Sequence, residues 1–116
     1  MDALKKTEKY QEAILDFLNR YAEEMYSDDP SGIETLVVAD KENHHYLLLR
    51  VGWNDHRHIH YCPFHFDIKN DKVWVQINNT EEMVGDALIE RGIPKSDIVL
   101  AFHPREMRQH TGFAET

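Results

Sequence analysis

An α+β fold, with helices laid on one face of an antiparallel sheet, is predicted by three features of this chain. The first is a long amphipathic stripe near the N-terminus, where Tyr10, Ile14, Phe17, Leu18, Tyr21 and Met25 recur at helical spacing. The second is a hairpin whose register can be solved from residues 64–77. Asn70-Asp71 suits a tight turn because both residues tolerate positive φ. Closing the chain there pairs Ile68 with Val73, Phe66 with Val75 and Phe64 with Ile77, and puts all of these apolar side chains on one face. The third is a shorter amphipathic segment after the strands, bounded by start and stop signals. Two such helices and one apolar sheet face suffice for a two-layer core.

The elements follow in order. A helix spans residues 4–26, with Glu12, Asp16, Glu23 and Glu24 opposite its stripe, and Ser27-Asp28-Asp29-Pro30-Ser31-Gly32 ends it. Residues 33–39 are rich in β-branched types and read as a strand, with a turn at 40–43. Residues 46–53 form a second strand with Leu47, Leu49, Val51 and Trp53 toward one side; 54–57 is another turn. The third strand, 58–68, contains a conflict of phase: alternation carried back from Phe64 buries His58 and His60 and exposes Ile59 and Tyr61. A β-bulge near Cys62-Pro63 repairs this, and Pro63 suits an irregular position because it cannot donate a ladder hydrogen bond. Residues 72–78 are the fourth strand of an antiparallel meander. Asn79 and Glu82 read as a capping box for a helix that runs to Arg91, with Val84, Ala87 and Leu88 as its stripe. Gly92 serves as its C-terminal cap and Pro94 prevents continuation. Residues 98–102 form a short buried strand, and 103–116 a tail whose alternatives are a frayed terminus and an anchored segment.

A length of 116 residues suits one domain over 1–116 with one core. Apolar residues at 41% and charged ones at 29% are those of a globular protein. No apolar run approaches the ~20 residues of a membrane span. Met1-Asp2-Ala3-Leu4-Lys5-Lys6 leads into a charged helix pattern rather than a signal region, so a cytoplasmic location is expected. The single cysteine, Cys62, excludes an intramolecular disulfide and a multi-thiolate zinc site within one chain. It reads as a small strand thiol. The net charge of −8 and the absence of a basic cluster longer than Lys5-Lys6 disfavour independent duplex binding.

The second face of the sheet is the place to look for function, since its residues are not explained by the core. It receives His65, Asp67, Trp74 and Gln76, and is expected to carry Tyr46 and Leu48 as well. No helix remains to cover it, so it reads as a surface for a partner or for self-association. His65 and Asp67 are placed to hydrogen-bond, with Gln76 and Trp74 as cross-strand neighbours. An acid–base enzyme needs such a pair beside a pocket, and no nucleophile elbow or phosphate loop accompanies it. Arg50, His103, Arg108 and Phe113 are further interface candidates; Arg108 can pair with a carboxylate and Phe113 can anchor the tail in a groove. Eight histidines invite a metal, and His58 and His60 share a side, with a third ligand to come from His56, His65 or a carboxylate. Their spacing matches no established zinc pattern, and no metal or other cofactor is expected. A histidine-dependent or metal-dependent enzyme using His58, His60 and His65 is the rival reading, and a direct DNA-binding regulator the next.

A set of short motifs runs in order along the chain: Val51-Gly52-Trp53, His65-x-Asp67-Ile68-Lys69, Lys72-x-Trp74-x-Gln76 and Asn79-Thr80-Glu81. It continues in Gly92-Ile93-Pro94-Lys95-x-Asp97-Ile98-Val99-Leu100-Ala101-Phe102-His103 and in Arg108-x-x-Thr111-x-Phe113-Ala114. In this ordered set, which covers nearly the whole chain, the sequence resembles the XisI-like family, the excision-controlling factors of cyanobacteria. It departs at the histidine-rich segment 56–60, at Pro63 and at Arg105. The resemblance implies a non-catalytic accessory of programmed excision of the fdxN element. Such a factor acts beside a recombinase and an XisH-like companion. The partners expected are that companion and a second copy of the chain, in a homodimer or higher homo-oligomer, without membrane or direct nucleic-acid binding.

Overall fold

The computed structural model describes residues 3–116, with side chains from Lys5 onward. Met1 and Asp2, the start of the segment read above as lacking a signal region, lie outside the described residues. Helix α1 (Ala3–Tyr26) is followed by strands β1 (Glu34–Asp40), β2 (His45–Asn54), β3 (Arg57–Lys69) and β4 (Lys72–Asn78). Helix α2 (Val84–Glu90), a 3-10 turn (Lys95–Asp97), strand β5 (Ile98–Leu100) and the short helix α3 (Arg105–Arg108) complete the chain. The sheet has five strands in sequence order; β1 to β4 form the expected antiparallel meander, and β5 joins β4 in parallel.

The core lies between α1 and one face of the sheet. Tyr10, Ile14, Phe17 and Leu18 are almost fully buried, against Phe64, Phe66, Val73 and Val75. Phe17 meets the Phe64 ring edge-on at 5.0 Å, and Tyr21 meets it at 4.9 Å, the separations aromatic quadrupoles favour. Met25, expected in the stripe, is 58% exposed, whereas Tyr21 and Tyr26 on either side of it pack against the core.

The hairpin register agrees with expectation at Ile68↔Val73 and Phe66↔Val75, and its turn places Asn70 and Asp71 at φ 54° and 59°. The third pair shifts by one: Phe64 opposes Asn78 and His65 opposes Ile77, through an irregularity between His65 and Phe66. Ile77 is therefore only half-buried. The bulge at Cys62-Pro63 is present. Leu48 pairs with Phe64 and Arg50 with Tyr61, so Leu49 alone stands against Cys62 and Pro63.

The phase of β2 is the reverse of that expected. Tyr46 and Leu48 oppose Phe66 and Phe64 and lie fully buried beneath α1, whereas Leu47 and Leu49 turn to the other face and Trp53 is 63% exposed. Arg50 shares the buried phase at 7% exposure. Its guanidinium donates to Asp29, to the Thr35 hydroxyl at 2.6 Å and to the Ile33 carbonyl at 3.2 Å. It lies 3.9 Å from the centre of the Tyr26 ring. A backbone hydrogen bond from Ser31, and then Arg50, hold the Asp29 carboxyl below its usual range.

Helix α2 begins later than predicted. Asn79 does not cap it, because its side-chain amide donates to the Cys62 carbonyl at 3.0 Å and its backbone N–H to the Pro63 carbonyl at 2.9 Å. The bulge frees those carbonyls, and Asn79 satisfies them. Asn78 and Thr80 shape the turn instead, and Met83 precedes the helix without a side-chain cap. The C-terminus is as expected. Gly92, at φ 93°, donates to Ile89 and Ile93 donates to Leu88, a Schellman closure with Ile93 and Leu88 both buried. Strand β5 ends at Leu100, two residues short of Phe102, which is 41% exposed.

The tail is anchored. Ala114 forms a parallel bridge to Val99 and donates to the Ile98 carbonyl at 2.8 Å. A Cβ on Gly85 falls 2.4 Å from Phe113 Cζ, so α2 needs glycine where the end of that ring packs against it.

Candidate functional site

The sheet face away from α1 carries both the polar and the apolar groups that the core does not use. On β1 and β2 they are Leu36, Val38, Leu47 and Leu49, in the cross-strand pairs Leu36↔Leu49 and Val38↔Leu47. Leu36 and Val38 are each 39% exposed. Antiparallel alternation puts His45, His65, Asp67, Trp74 and Gln76 on the same face, through the pairs Leu47↔His65, His45↔Asp67 and Asp67↔Trp74.

Asp67 is the centre of the polar group. One carboxylate oxygen, Oδ1, lies 2.6 Å from His45 Nδ1 and 2.8 Å from His65 Nε2. The Gln76 amide donates to Oδ2 at 3.1 Å. Partial burial pushes the carboxyl up, but the bonds from His45 and His65 outweigh it and hold it below the ordinary range. The hydrogen bond to Asp67 in turn raises His45. Carboxylate and imidazoles thus form one mutually stabilised cluster on β2 and β3, with Gln76 joining from β4.

Trp74 stands beside it, half-buried. Its indole N–H donates to the Lys69 carbonyl at 3.2 Å, with Lys69 Nζ 4.2 Å and the Arg108 guanidinium 5.7 Å from its ring centres. Both cations sit within the range of attraction to an aromatic face. Arg108 also donates to the carbonyls of Ala101, His103 and Glu115, which fastens α3 and the tail next to the indole.

The sequence-predicted residues therefore separate. His65, Asp67, Trp74 and Gln76 come together as expected, and Arg108 joins their margin. Tyr46 and Leu48 do not belong to this face, for the reason of phase given above; Leu36, Val38, Leu47 and Leu49 supply its apolar area. Arg50 is on the buried side, with its hydrogen-bonding capacity taken up inside the chain. Phe113 packs on α2 at the edge of an apolar cleft of about 170 Å³ that includes Met83, Leu100 and Phe102. His103 is exposed, its ring 4.6 Å from that of Phe102.

His58 and His60 lie exposed on the far side of the bulge, opposite Trp53 and Val51, and the His58 ring packs 4.8 Å from Trp53. Among the described residues, the set brought together at metal-ligand spacing is His45, His65 and Asp67. The sequence offers His44-His45 only as neighbours pointing to opposite sides of a strand; that His45 belongs to this cluster depends on the β2–β3 register, which pairs it with Asp67 and which alternation alone does not fix. The Cys62 thiol is pushed up by burial and donates to the Phe64 carbonyl, which makes it a poor nucleophile. No helix among the described residues is long and apolar enough to cross a membrane.

Comparison with known proteins gives one family. The sequence matches the family described as XisI protein over residues 1–115. Its fold is similar to the crystal structure of a XisI-like protein from Anabaena variabilis ATCC 29413. The two are 36% identical, with a TM-score of 0.86 over 93% of this chain and 97% of that one. It is also similar to the fdxN element excision controlling factor XisI from the same organism, at 26% identity and a TM-score of 0.83, over 96% of this chain and 99% of that one. No match was found among curated proteins.

Proposed function

The chain belongs to the XisI protein family, and from that premise we propose that it is a non-catalytic controlling factor of DNA-element excision that works by docking a companion protein. The observation that carries this reading is the open sheet face. Leu36, Val38, Leu47 and Leu49 form an apolar strip there, continuous with Leu47↔His65 and the Asp67–Trp74 pair. Such a surface, apolar in the middle and polar at one margin, has the anatomy of a protein interface. Trp74, held between two cations and still half-exposed, has the character of an energetic anchor.

The net charge of −8 favours a basic partner surface over a nucleic acid. An XisH-like companion is the partner the family resemblance implies. Control of excision is the role named for the Anabaena protein, and this chain has a similar fold, at a TM-score of 0.83.

Co-expression with the XisH-like companion tests the reading. The two proteins are expected to co-purify, and Trp74→Ala is expected to weaken the complex far more than it lowers stability. Equal affinity in the folded variant defeats the assignment of the face. Assembly of the chain only with itself replaces the companion by a second copy. Tight duplex binding with a steep salt dependence in fluorescence anisotropy replaces it by DNA.

A further inference from the structure

We propose that His45 Nδ1, His65 Nε2 and a carboxylate oxygen of Asp67 bind one divalent transition-metal ion of the zinc class. The inference stands whether or not a companion docks on this face.

The geometry supplies three donor atoms that all lie within 4.8 Å of one another. Donors around a tetrahedral zinc ion, with bonds of about 2.0–2.2 Å, stand roughly 3.4 Å apart. The two nitrogens already point at a single oxygen, at 2.6 and 2.8 Å, so the ligands need to spread rather than to swing in. All of them sit on β2 and β3, which are paired through His45↔Asp67 and Leu47↔His65. Sheet positions fix a site better than loops do. Gln76, from β4, holds Oδ2 and so orients the carboxylate, as outer partners of metal ligands do.

Donor type selects the ion. Two imidazoles and one carboxylate suit zinc, cobalt, nickel or copper; magnesium and calcium call for more oxygen. The side chains are 52% exposed at His45, 28% at His65 and 14% at Asp67, so the ion can enter and further coordination positions face outward. On binding, each imidazole nitrogen gives up the hydrogen it shares with Asp67. A neutral ring carries that hydrogen on its other nitrogen, and a protonated ring releases it to solvent.

Titration of chelator-free protein with Co²⁺ and Zn²⁺ decides the matter, read by calorimetry, by the visible spectrum of Co²⁺ and by imidazole nitrogen resonances. One ion per chain is expected, with Co²⁺ bands and large shifts confined to His45 and His65. His45→Gln and His65→Gln should each weaken binding by more than the ~10–100-fold typical of an outer partner, and Gln76→Ala by about that factor. His58→Gln with His60→Gln should leave it unchanged. The proposal is overturned by absence of stoichiometric binding, or by binding that survives His65→Gln and is lost with His58 and His60. The wild-type resonances decide the question even where a variant folds poorly.

Discussion

Arg50 shows how a single buried side chain can disguise the phase of a strand. A guanidinium in the alternation marks that phase as the wet one to any reading of sequence, yet here it is the dry one, because Asp29, Thr35, Ile33 and the Tyr26 ring surround it. Removing the anion alone strands a buried cation, whereas replacing the cation by a methylene chain removes charge and donor together. Asp29→Asn is therefore expected to lower the urea midpoint more than Arg50→Met. Ionisation of other residues gives the molecule pH limits. At Asp97, burial raises the carboxyl, but hydrogen bonds from Tyr10 and Lys6 bring it below its usual range. A carboxyl depressed on folding stabilises above its unfolded pKa, ~3.9, and that contribution disappears as pH falls through the folded value. Tyr46 behaves in the opposite sense: burial pushes its hydroxyl up to about 12. The folded state keeps a proton that the unfolded chain loses near pH ~10, so stability drops from there toward 12. Denaturation at a series of pH values should show both losses, and Tyr46→Phe should reduce the alkaline one.

At the scale of elements, local rules held where the chain's own backbone decides and failed where a distant partner does. The turn at Asn70-Asp71, the bulge at Cys62-Pro63 and the closure of α2 at Gly92 were all legible, since each rests on φ preference, a missing N–H or a missing Cβ. The start of α2 was not, because Asn79 was already engaged with the bulge carbonyls of β3, a contact across 17 residues. The parallel docking of β5 and the seat of Phe113 were equally invisible. Two substitutions probe these elements. Asp71→Gly relieves a positive φ in the hairpin turn and is expected to raise stability by about 0.5–1 kcal/mol in thermal unfolding. Gly85→Ala forces the Phe113 ring from α2 and should cost ~1–3 kcal/mol, as overpacking does. An unchanged melting point for Gly85→Ala contradicts the packing described for the tail.

For the whole molecule, the two-layer outline and the bare second face followed from the count of amphipathic helices alone. The composition of that face did not follow, because both phases of β2 are apolar and only the pairing with β3 chooses between them. Lysine at Leu36 tests the outcome. The change falls on an exposed position of the open face, so stability should move by no more than ~0.5 kcal/mol while association with the proposed companion is lost. Retained association locates the docking surface elsewhere. The sheet's two margins differ as well. Among the described residues β1 is paired on one side only, whereas β5 has Ala114 bridged to its outer side. A second copy adding to β1 in the antiparallel sense, about a twofold axis, would use up that margin in both molecules, so no further copy could add there.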